Sequence, residues 1–134
     1  MQINSKQKSK IKEIAEKYHL KLVLLFGSRA TGKTHKESDF DVAYLPEKNL
    51  SFDEENYLNF EFTNIFQHDR VDTVDMRKAS PLLLYAIFQN PVILFAEDEL
   101  SFSFYRAYVF KKYIEAKPIY EEKFAKLSAR IEKL

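Results

Sequence analysis

The chain has 134 residues, of which 46% are hydrophobic and 31% charged, as expected for one soluble globular domain with a sizeable core. The net charge of +1 argues against a general nucleic-acid-binding protein, and the absence of cysteine excludes disulfides and thiolate chemistry. The sequence has neither an apolar signal-peptide core nor an apolar run of membrane-spanning length. We therefore expect a cytoplasmic protein that does not associate with membranes.

Helices and strands alternate along residues 5–95. A capping box of Asn4 and Gln7 precedes an amphipathic helix predicted over 5–18, and a second box of Ser51 and Glu54 precedes one over 52–67. Ser80 and Pro81 begin a third helix, which continues to Phe88. The predicted strands cover residues 21–26, 39–45, 70–76 and 92–95.

The first two strands are joined only by a glycine loop over residues 27–38. This connection is too short for a helical parallel crossover, so the two strands are predicted to be antiparallel neighbours in a mixed sheet.

The C-terminal region, 99–134, is predicted to be helical throughout, with a break or kink at Pro118. Aromatic residues cover two faces of 102–113, which favours a protein interface over a helix that only folds back on its own core. We therefore divide the chain into a core, 1–98, and a C-terminal helical extension, 99–134, in the same compact domain or bound to a partner. Beyond Pro118 the apolar residues have heptad spacing: Tyr120, Phe124, Leu127, Ile131 and Leu134.

The glycine loop matches two phosphate-binding patterns. Gly27, four further residues and Gly32-Lys33-Thr34 satisfy the spacing of a P-loop. A P-loop also needs a helix that starts at its Lys and Thr, but only five residues, 34–38, separate Lys33 from the next strand. It further needs a larger, mostly parallel sheet, so we disfavour this interpretation.

The second pattern is Gly27-Ser28, ten residues and then Asp39-x-Asp41. Residues two apart in a strand point to the same side, so the two carboxylates project together and are good Mg²⁺ ligands. Gly27 permits a tight turn, and Ser28 offers its amide and hydroxyl to phosphate oxygens. The structural alternative is a pair of solvated carboxylates at the end of a strand.

A third carboxylate is needed to complete such a site, and the strand over 70–76 offers Asp72 and Asp75. These two residues have opposite parity, so a regular strand cannot direct both to one site. Asp72 has the better position in the strand, whereas Asp75 is interpreted as a strand-end residue.

The Gly-Ser and Asp-Phe-Asp pattern, followed by Val-Asp-Thr-Val at 71–74, resembles the nucleotidyltransferase superfamily of DNA polymerase beta. The sequences of residues 26–32 and 38–41 are similar to those of the minimal nucleotidyltransferase (MNT) proteins within this superfamily. The resemblance covers about residues 10–96. The resemblance implies an α+β (α/β) nucleotidyltransferase fold, a small mixed sheet packed with helices, to which the C-terminal helices are added.

MNT proteins are commonly encoded beside HEPN proteins, which are all-helical RNases, and act as their antitoxins. The resemblance therefore implies an enzyme that uses ATP and Mg²⁺ to attach AMP to a tyrosine of a HEPN toxin within a hetero-oligomer, without direct nucleic-acid binding. One departure is Thr31, where many relatives have a basic residue, so Lys33 or Lys36 would have to substitute. By resemblance, Gly27, Ser28 and Arg29 would bind the nucleotide, while Asp39, Asp41 and Asp72 would bind metal, with Asp72 also helping to remove the tyrosine proton.

Two rival functions stay open from the sequence. The same fold could act as a non-catalytic antitoxin that masks the HEPN toxin through its C-terminal helices. It could also be a nucleotidyltransferase for a small molecule of the aminoglycoside type, although that class usually needs an added substrate domain and 134 residues leave little room for one.

Overall fold

A computed structural model describes residues 3–31 and 39–134, so the sequence predictions for Gly32, Lys33, Thr34 and Lys36 lie outside the described residues. Five helices and four strands occupy the described chain. In chain order they are α1 (Ser5–Lys17), β1 (Leu20–Phe26), α2 (Ser28–Thr31), β2 (Phe40–Pro46), α3 (Phe52–Phe66), β3 (Val71–Asp75), α4 (Pro81–Ile87), β4 (Val92–Ala96) and α5 (Ser101–Glu132).

The predicted caps begin three of the helices. Asn4 and Gln7 exchange two hydrogen bonds between side chain and backbone before α1, at 2.8 and 3.2 Å. Ser51 and Glu54 make the same reciprocal pair before α3. Ser80 Oγ accepts the backbone N–H of Leu83 at 3.2 Å, and a proline follows at the first position of α4. These bonds satisfy amide donors that a helix start leaves unpaired.

The four strands form one mixed sheet in the order β3-β2-β1-β4. Strand β1 pairs antiparallel with both β2 and β4, whereas β2 and β3 are parallel. The predicted antiparallel neighbours are therefore confirmed. The register places Phe26 opposite Asp41 across β1 and β2, and Asp41 opposite Asp72 across β2 and β3.

Each face of the sheet is covered by its own pair of helices. Val42 and Tyr44 of β2 belong to the apolar cluster that contains α1 and α3 residues, whereas Ala43 and Leu45 belong to the one that contains α4 and α5 residues. This alternation follows from the two-residue period of a strand. The central strands are consequently apolar on both sides, and polar side chains can gather only at the ends of the sheet.

Helix α2 corrects the prediction that residues 27–38 form a loop without helix. Gly27 has a φ of +77°, and its carbonyl oxygen accepts the N–H of Ala30 at 3.1 Å. A glycine in this left-handed conformation reverses the chain at the end of β1, so a single helical turn follows at once. A helix of four residues is too short to show a hydrophobic periodicity in the sequence.

The predicted C-terminal helix is confirmed, because α5 runs without interruption from Ser101 to Glu132 and so has no break at Pro118, while the alternative of a kink there stays a prediction. Pro118 and Ile114, whose carbonyl loses its intrahelical donor, are both exposed, so water can hydrate the orphaned oxygen. The first half of α5 packs on the core through Val109, whereas only Tyr120 and Ser128 are half-buried from Lys117 to Glu132. The division of the chain into a core, 1–98, and a C-terminal helical extension, 99–134, stays a prediction.

None of the helices within 3–31 and 39–134 is long and apolar enough to cross a membrane.

Candidate active site

Three acidic residues lie at one end of the sheet, where β1 ends and where β2 and β3 begin. Asp41 is in register with Asp72 of the parallel strand β3, and registered residues of parallel strands point to the same face. Asp39 precedes Asp41 by two positions and shares its parity. The strand register therefore brings Asp39, Asp41 and Asp72 to one edge and one face of the sheet.

Asp75 lies on the opposite face. It is in register with Tyr44, a member of the cluster formed with α1 and α3, and it is buried. Its Oδ1 accepts the backbone N–H of Arg77 at 2.8 Å, which fixes the turn after β3. Burial, and then the charge of Asp75, raises the pKa of the Tyr44 hydroxyl. Asp75 therefore has a structural position away from the other carboxylates.

The electrostatics of the cluster centre on Asp41. Burial raises the pKa of the Asp41 carboxyl, and the charges of Asp72 and Asp39 raise it further. Oδ1 of Asp39 lies 4.0 Å from Nη1 of Arg70, too far for a hydrogen bond, and within the described residues no donor reaches that buried oxygen. Such a concentration of negative charge favours the binding of a cation.

Gly27 lets the Asp41 carboxylate approach the backbone of the turn. A Cβ atom built on Gly27 would lie 2.6 Å from Oδ2 of Asp41, closer than real Cβ contacts allow. The positive φ of Gly27 disfavours a side chain for a second, independent reason. The position of the Asp41 carboxylate therefore depends on the absence of a side chain at residue 27. The sequence pattern alone did not reveal this dependence.

The donor set suits a hard divalent cation such as Mg²⁺, because three carboxylates supply only oxygen ligands. In the part of the chain that the structure describes, no three acidic or histidine side chains already converge closely enough to enclose a metal. The buried Asp39 oxygen and the raised pKa of Asp41 nevertheless show that the edge holds more negative charge than its neighbours satisfy. Asp39, Asp41 and Asp72 would therefore hold such a cation through their carboxylate oxygens.

The predicted nucleotide-binding residues follow Gly27 directly. Ser28 and Arg29 open α2, so their backbone lies beside the carboxylate edge. The Arg29 guanidinium lies 4.3 Å from the centre of the Phe40 ring, which itself stacks on Phe66 at 4.6 Å. Phe40 belongs to the cluster that contains α1 and α3 residues, so Arg29 covers the face opposite to the one that Asp41 faces.

Arg70 is a neighbour of the site that sequence reasoning missed, since at the end of a strand it is most simply a solvated residue. The parallel register extends one position before Phe40 and Val71 and so brings Arg70 beside Asp39. The Phe40 N–H also donates to the Arg70 carbonyl oxygen at 2.9 Å. Only the pairing of β2 with β3 reveals this contact.

A groove of about 1200 Å³ lies at the other end of the sheet and contains none of these carboxylates. Leu45, Met76, Leu100 and Tyr105 contribute its apolar lining. Its size does not make it the candidate active site, because the clustered carboxylates lie elsewhere.

Comparisons with known proteins agree with this geometry. The model of the polymerase beta nucleotidyltransferase family matches residues 9–100. The protein adenylyltransferase MntA of Aphanizomenon flos-aquae (strain 2012/KM1/D3) is 29% identical, and the match covers 78% of this chain and 76% of that protein.

Two solved structures have the same fold. A toxin–antitoxin structure with AMP-PNP has a TM-score of 0.72 at 24% identity and covers 87% of this chain and 98% of its own. The MNT antitoxin in complex with the tri-AMPylated HEPN toxin of Shewanella oneidensis has a TM-score of 0.65 at 22% identity, with coverages of 88% and 96%.

The family match spans well over half of the chain and includes Gly27, Asp39, Asp41 and Asp72. Its matched segment therefore contains the whole carboxylate edge and the glycine turn that the fold assembles. The chain belongs to the polymerase beta nucleotidyltransferase family.

Proposed function

We propose that this chain is an antitoxin that transfers AMP from ATP to a tyrosine of a HEPN-family toxin, with which it forms a hetero-oligomer. The observation that carries the proposal is the register of Asp41 with Asp72, beside Asp39 and the Gly27 turn. The name of the Aphanizomenon relative, a protein adenylyltransferase, supports the activity. The tri-AMPylated HEPN toxin in the Shewanella complex supports the substrate and the partner.

In this proposal Asp39, Asp41 and Asp72 hold Mg²⁺. When bound, the cation neutralises triphosphate charge, which phosphoryl and nucleotidyl transfer requires more than covalent assistance. A tyrosine oxygen forms a bond to the α-phosphorus of ATP in line with the bond to pyrophosphate, which breaks. The tyrosine pKa of about 10 makes a proton acceptor necessary, and Asp72 is the exposed carboxylate of the three.

The nucleotide phosphates would bind at the turn that carries Gly27 and Ser28. Its backbone amides lie next to the carboxylate edge, which suits a triphosphate that shares a cation with Asp41. Arg29 would need to rotate off the Phe40 ring to reach phosphates on that face. A resting position over Phe40 would keep the guanidinium near the turn until nucleotide binds.

The experiment combines the chain with the HEPN protein of the same organism, ATP and Mg²⁺, and measures the intact mass of the HEPN protein. We expect a gain of one or more AMP units, and we expect the Asp39→Ala, Asp41→Ala double variant to lose transfer by at least about 10³-fold. Its melting temperature should stay close to that of the unaltered chain, because both side chains lie at the sheet edge. Full transfer by the double variant would contradict the metal-site assignment.

A non-catalytic antitoxin is the second candidate, and the exposed C-terminal half of α5 favours it. That function predicts suppression of toxicity without any change in the mass of the toxin, in both the unaltered chain and the double variant. Transfer of AMP to an aminoglycoside, with none to protein, would instead indicate the small-molecule class.

A further inference from the structure

The C-terminal half of α5 presents an exposed apolar stripe. We define the α5 stripe as Tyr120, Phe124, Leu127 and Ile131, which follow one another at intervals of four, three and four residues. Phe124, Leu127 and Ile131 are 71%, 54% and 59% exposed. Residues at this spacing lie along one side of a helix, so the stripe is a continuous surface about three turns long.

The α5 stripe continues the side of the helix that packs on the core. Tyr120 follows Val109 by eleven residues, which is close to three whole turns and therefore places both on one side. Val109 is fully buried in the cluster that contains α4, and Tyr113, one turn further, stacks on Tyr85 of α4 at 3.8 Å. One side of a single helix is thus an internal interface in its first half and an exposed one in its second.

Basic residues flank the α5 stripe. Lys123 and Arg130 immediately precede Phe124 and Ile131 and lie along one border. Residues 101–134 contain eight Lys and Arg residues and four Glu residues, a net charge of +4, whereas residues 1–100 carry −3. The two central acidic residues of this segment, Glu121 and Glu122, form ion pairs within the helix. The border formed by Lys123 and Arg130 therefore complements carboxylates on a partner helix.

A second copy of this chain fits the α5 stripe poorly. Antiparallel pairing of two stripes brings their basic borders together, with Lys123 of one copy near Arg130 of the other. Parallel pairing places Lys123 near Ser128, and both arrangements join two segments, residues 101–134 of each copy, that carry a net charge of +4. A nucleic acid also fits poorly, because the centre of the surface is aromatic and aliphatic at heptad spacing, without the positive charges that contact phosphates.

We propose that the α5 stripe binds an amphipathic helix of the partner protein, one whose apolar residues are bordered by carboxylates, as a short two-helix coiled coil. The inference rests on the proposed function in one respect, because it takes the all-helical HEPN toxin as the protein that supplies this helix. Beyond the proposed function, the inference identifies the surface that binds the partner and the chemical character of the helix that the partner supplies.

Binding of the full HEPN protein to the unaltered chain and to its variants tests this inference by calorimetry. Phe124→Gln with Leu127→Gln should weaken binding by at least about 100-fold, because two large apolar anchors leave the interface while helix propensity is kept. The matched control is Ile114→Gln, an apolar residue of α5 that is 68% exposed and lies outside the α5 stripe, ten residues before Phe124. It should bind within about twofold of the unaltered chain.

Charge reversal tests the basic border separately. Lys123→Glu with Arg130→Glu should weaken binding by about tenfold and abolish its dependence on salt, whereas Lys111→Glu should change neither. At limiting HEPN protein, the rate of AMP transfer should fall in the Phe124, Leu127 variant in proportion to its lost binding and stay unchanged in Lys111→Glu.

Circular dichroism verifies that each variant retains its helix. Equal binding by the unaltered chain and the Phe124, Leu127 variant would overturn this inference and leave the proposed function standing. A dimer of the unaltered chain that the same variant abolishes, or an RNA complex that only the Lys123, Arg130 variant abolishes, would also overturn it. Failure of the unaltered chain to bind the HEPN protein would overturn both the proposed function and the assignment of the HEPN protein as the partner of the α5 stripe.

Discussion

Asp41 has three close neighbours, of which Gly27 and Asp72 are distant from it in the sequence and Asp39 is near. Gly27 provides the space beside its Oδ2, Asp72 faces it across the parallel strands, and Asp39 lies two residues before it. The raised pKa of Asp41 results from this confinement, through burial first and the two neighbouring charges second. The site is therefore electrostatically unfavourable by itself, and we expect a bound cation to relieve the repulsion.

Gly27→Ala tests the link between the glycine and the carboxylate. The added methyl group would meet Oδ2 of Asp41, and alanine disfavours the positive φ, so we expect a loss of about 1–2 kcal/mol in the free energy of unfolding. Displacement of Asp41 should reduce AMP transfer by about 10- to 100-fold. Chemical denaturation and the rate of AMP transfer measure the two effects.

A double variant identifies the cause of that loss. If Gly27→Ala acts by displacing Asp41, adding it to Asp41→Asn should reduce transfer no further than Asp41→Asn alone. Fully additive losses would show that Gly27 has an independent role.

Asp72→Asn should stabilise the metal-free protein at neutral pH. Because the folded-state pKa of Asp41 is raised, the unaltered chain loses stability as the pH rises from the ordinary Asp value of 3.8 through that raised pKa. The substitution removes one repelling charge, so this loss should shrink and the melting temperature at pH 7 in EDTA should rise by about 1–2 °C.

Well below pH 3.8, where the raised pKa keeps the Asp41 carboxyl protonated and the repulsion is absent, the two proteins should melt alike. A lower melting temperature for Asp72→Asn at pH 7 would show instead that Asp72 has a stabilising partner.

Strand parity is a local property, so the sequence alone could assign these aspartates to the two faces of their strands, while their roles stay predictions. Parity grouped Asp39 with Asp41 and separated Asp72 from Asp75 before any fold was known. It did not predict that Arg70 lies beside Asp39 or that Arg29 lies over Phe40, since both contacts depend on how distant segments pack. Contacts across strands require the register, which a single strand does not encode.

At the scale of elements, connection length was the most informative feature of the sequence. The short link between β1 and β2 predicted their antiparallel pairing, which brings the Gly27 turn beside Asp41. The helix between β2 and β3 permits the parallel pairing that brings Asp72 beside Asp41. Helix α2 was missed because its four residues have no measurable periodicity.

Pro118 does not break α5, although proline in a helix interior commonly does so. Proline removes one helical hydrogen bond, but its position on an exposed surface lets the backbone remain helical through residue 132. We expect Pro118→Ala to stabilise the helix locally by up to about 3 kcal/mol.

Because the segment beyond Pro118 is largely exposed, that gain should slow amide exchange over residues 119–132 without moving the global melting temperature by more than about 1–2 °C. Hydrogen exchange read by mass spectrometry makes the measurement. A large rise in the melting temperature would show that the second half of α5 is coupled to the core.

The whole molecule separates chemistry from attachment. The carboxylate edge lies at one end of a sheet whose two faces are buried under α1 with α3 and α4 with α5. The exposed half of α5 extends from this core, and residues 101–134 carry a net charge of +4, whereas residues 1–100 carry −3. This arrangement is consistent with the proposed function, in which the carboxylate edge carries the chemistry and the exposed helix binds the partner protein.

The most direct test of this account compares two aspartates of one strand. Asp72 and Asp75 are three residues apart in β3, yet only Asp72 shares the face of Asp41. The rate of AMP addition to the HEPN protein, followed by intact mass, should fall at least about 100-fold in Asp72→Asn and stay within about threefold in Asp75→Asn. Full activity in Asp72→Asn, with loss in Asp75→Asn, would contradict it.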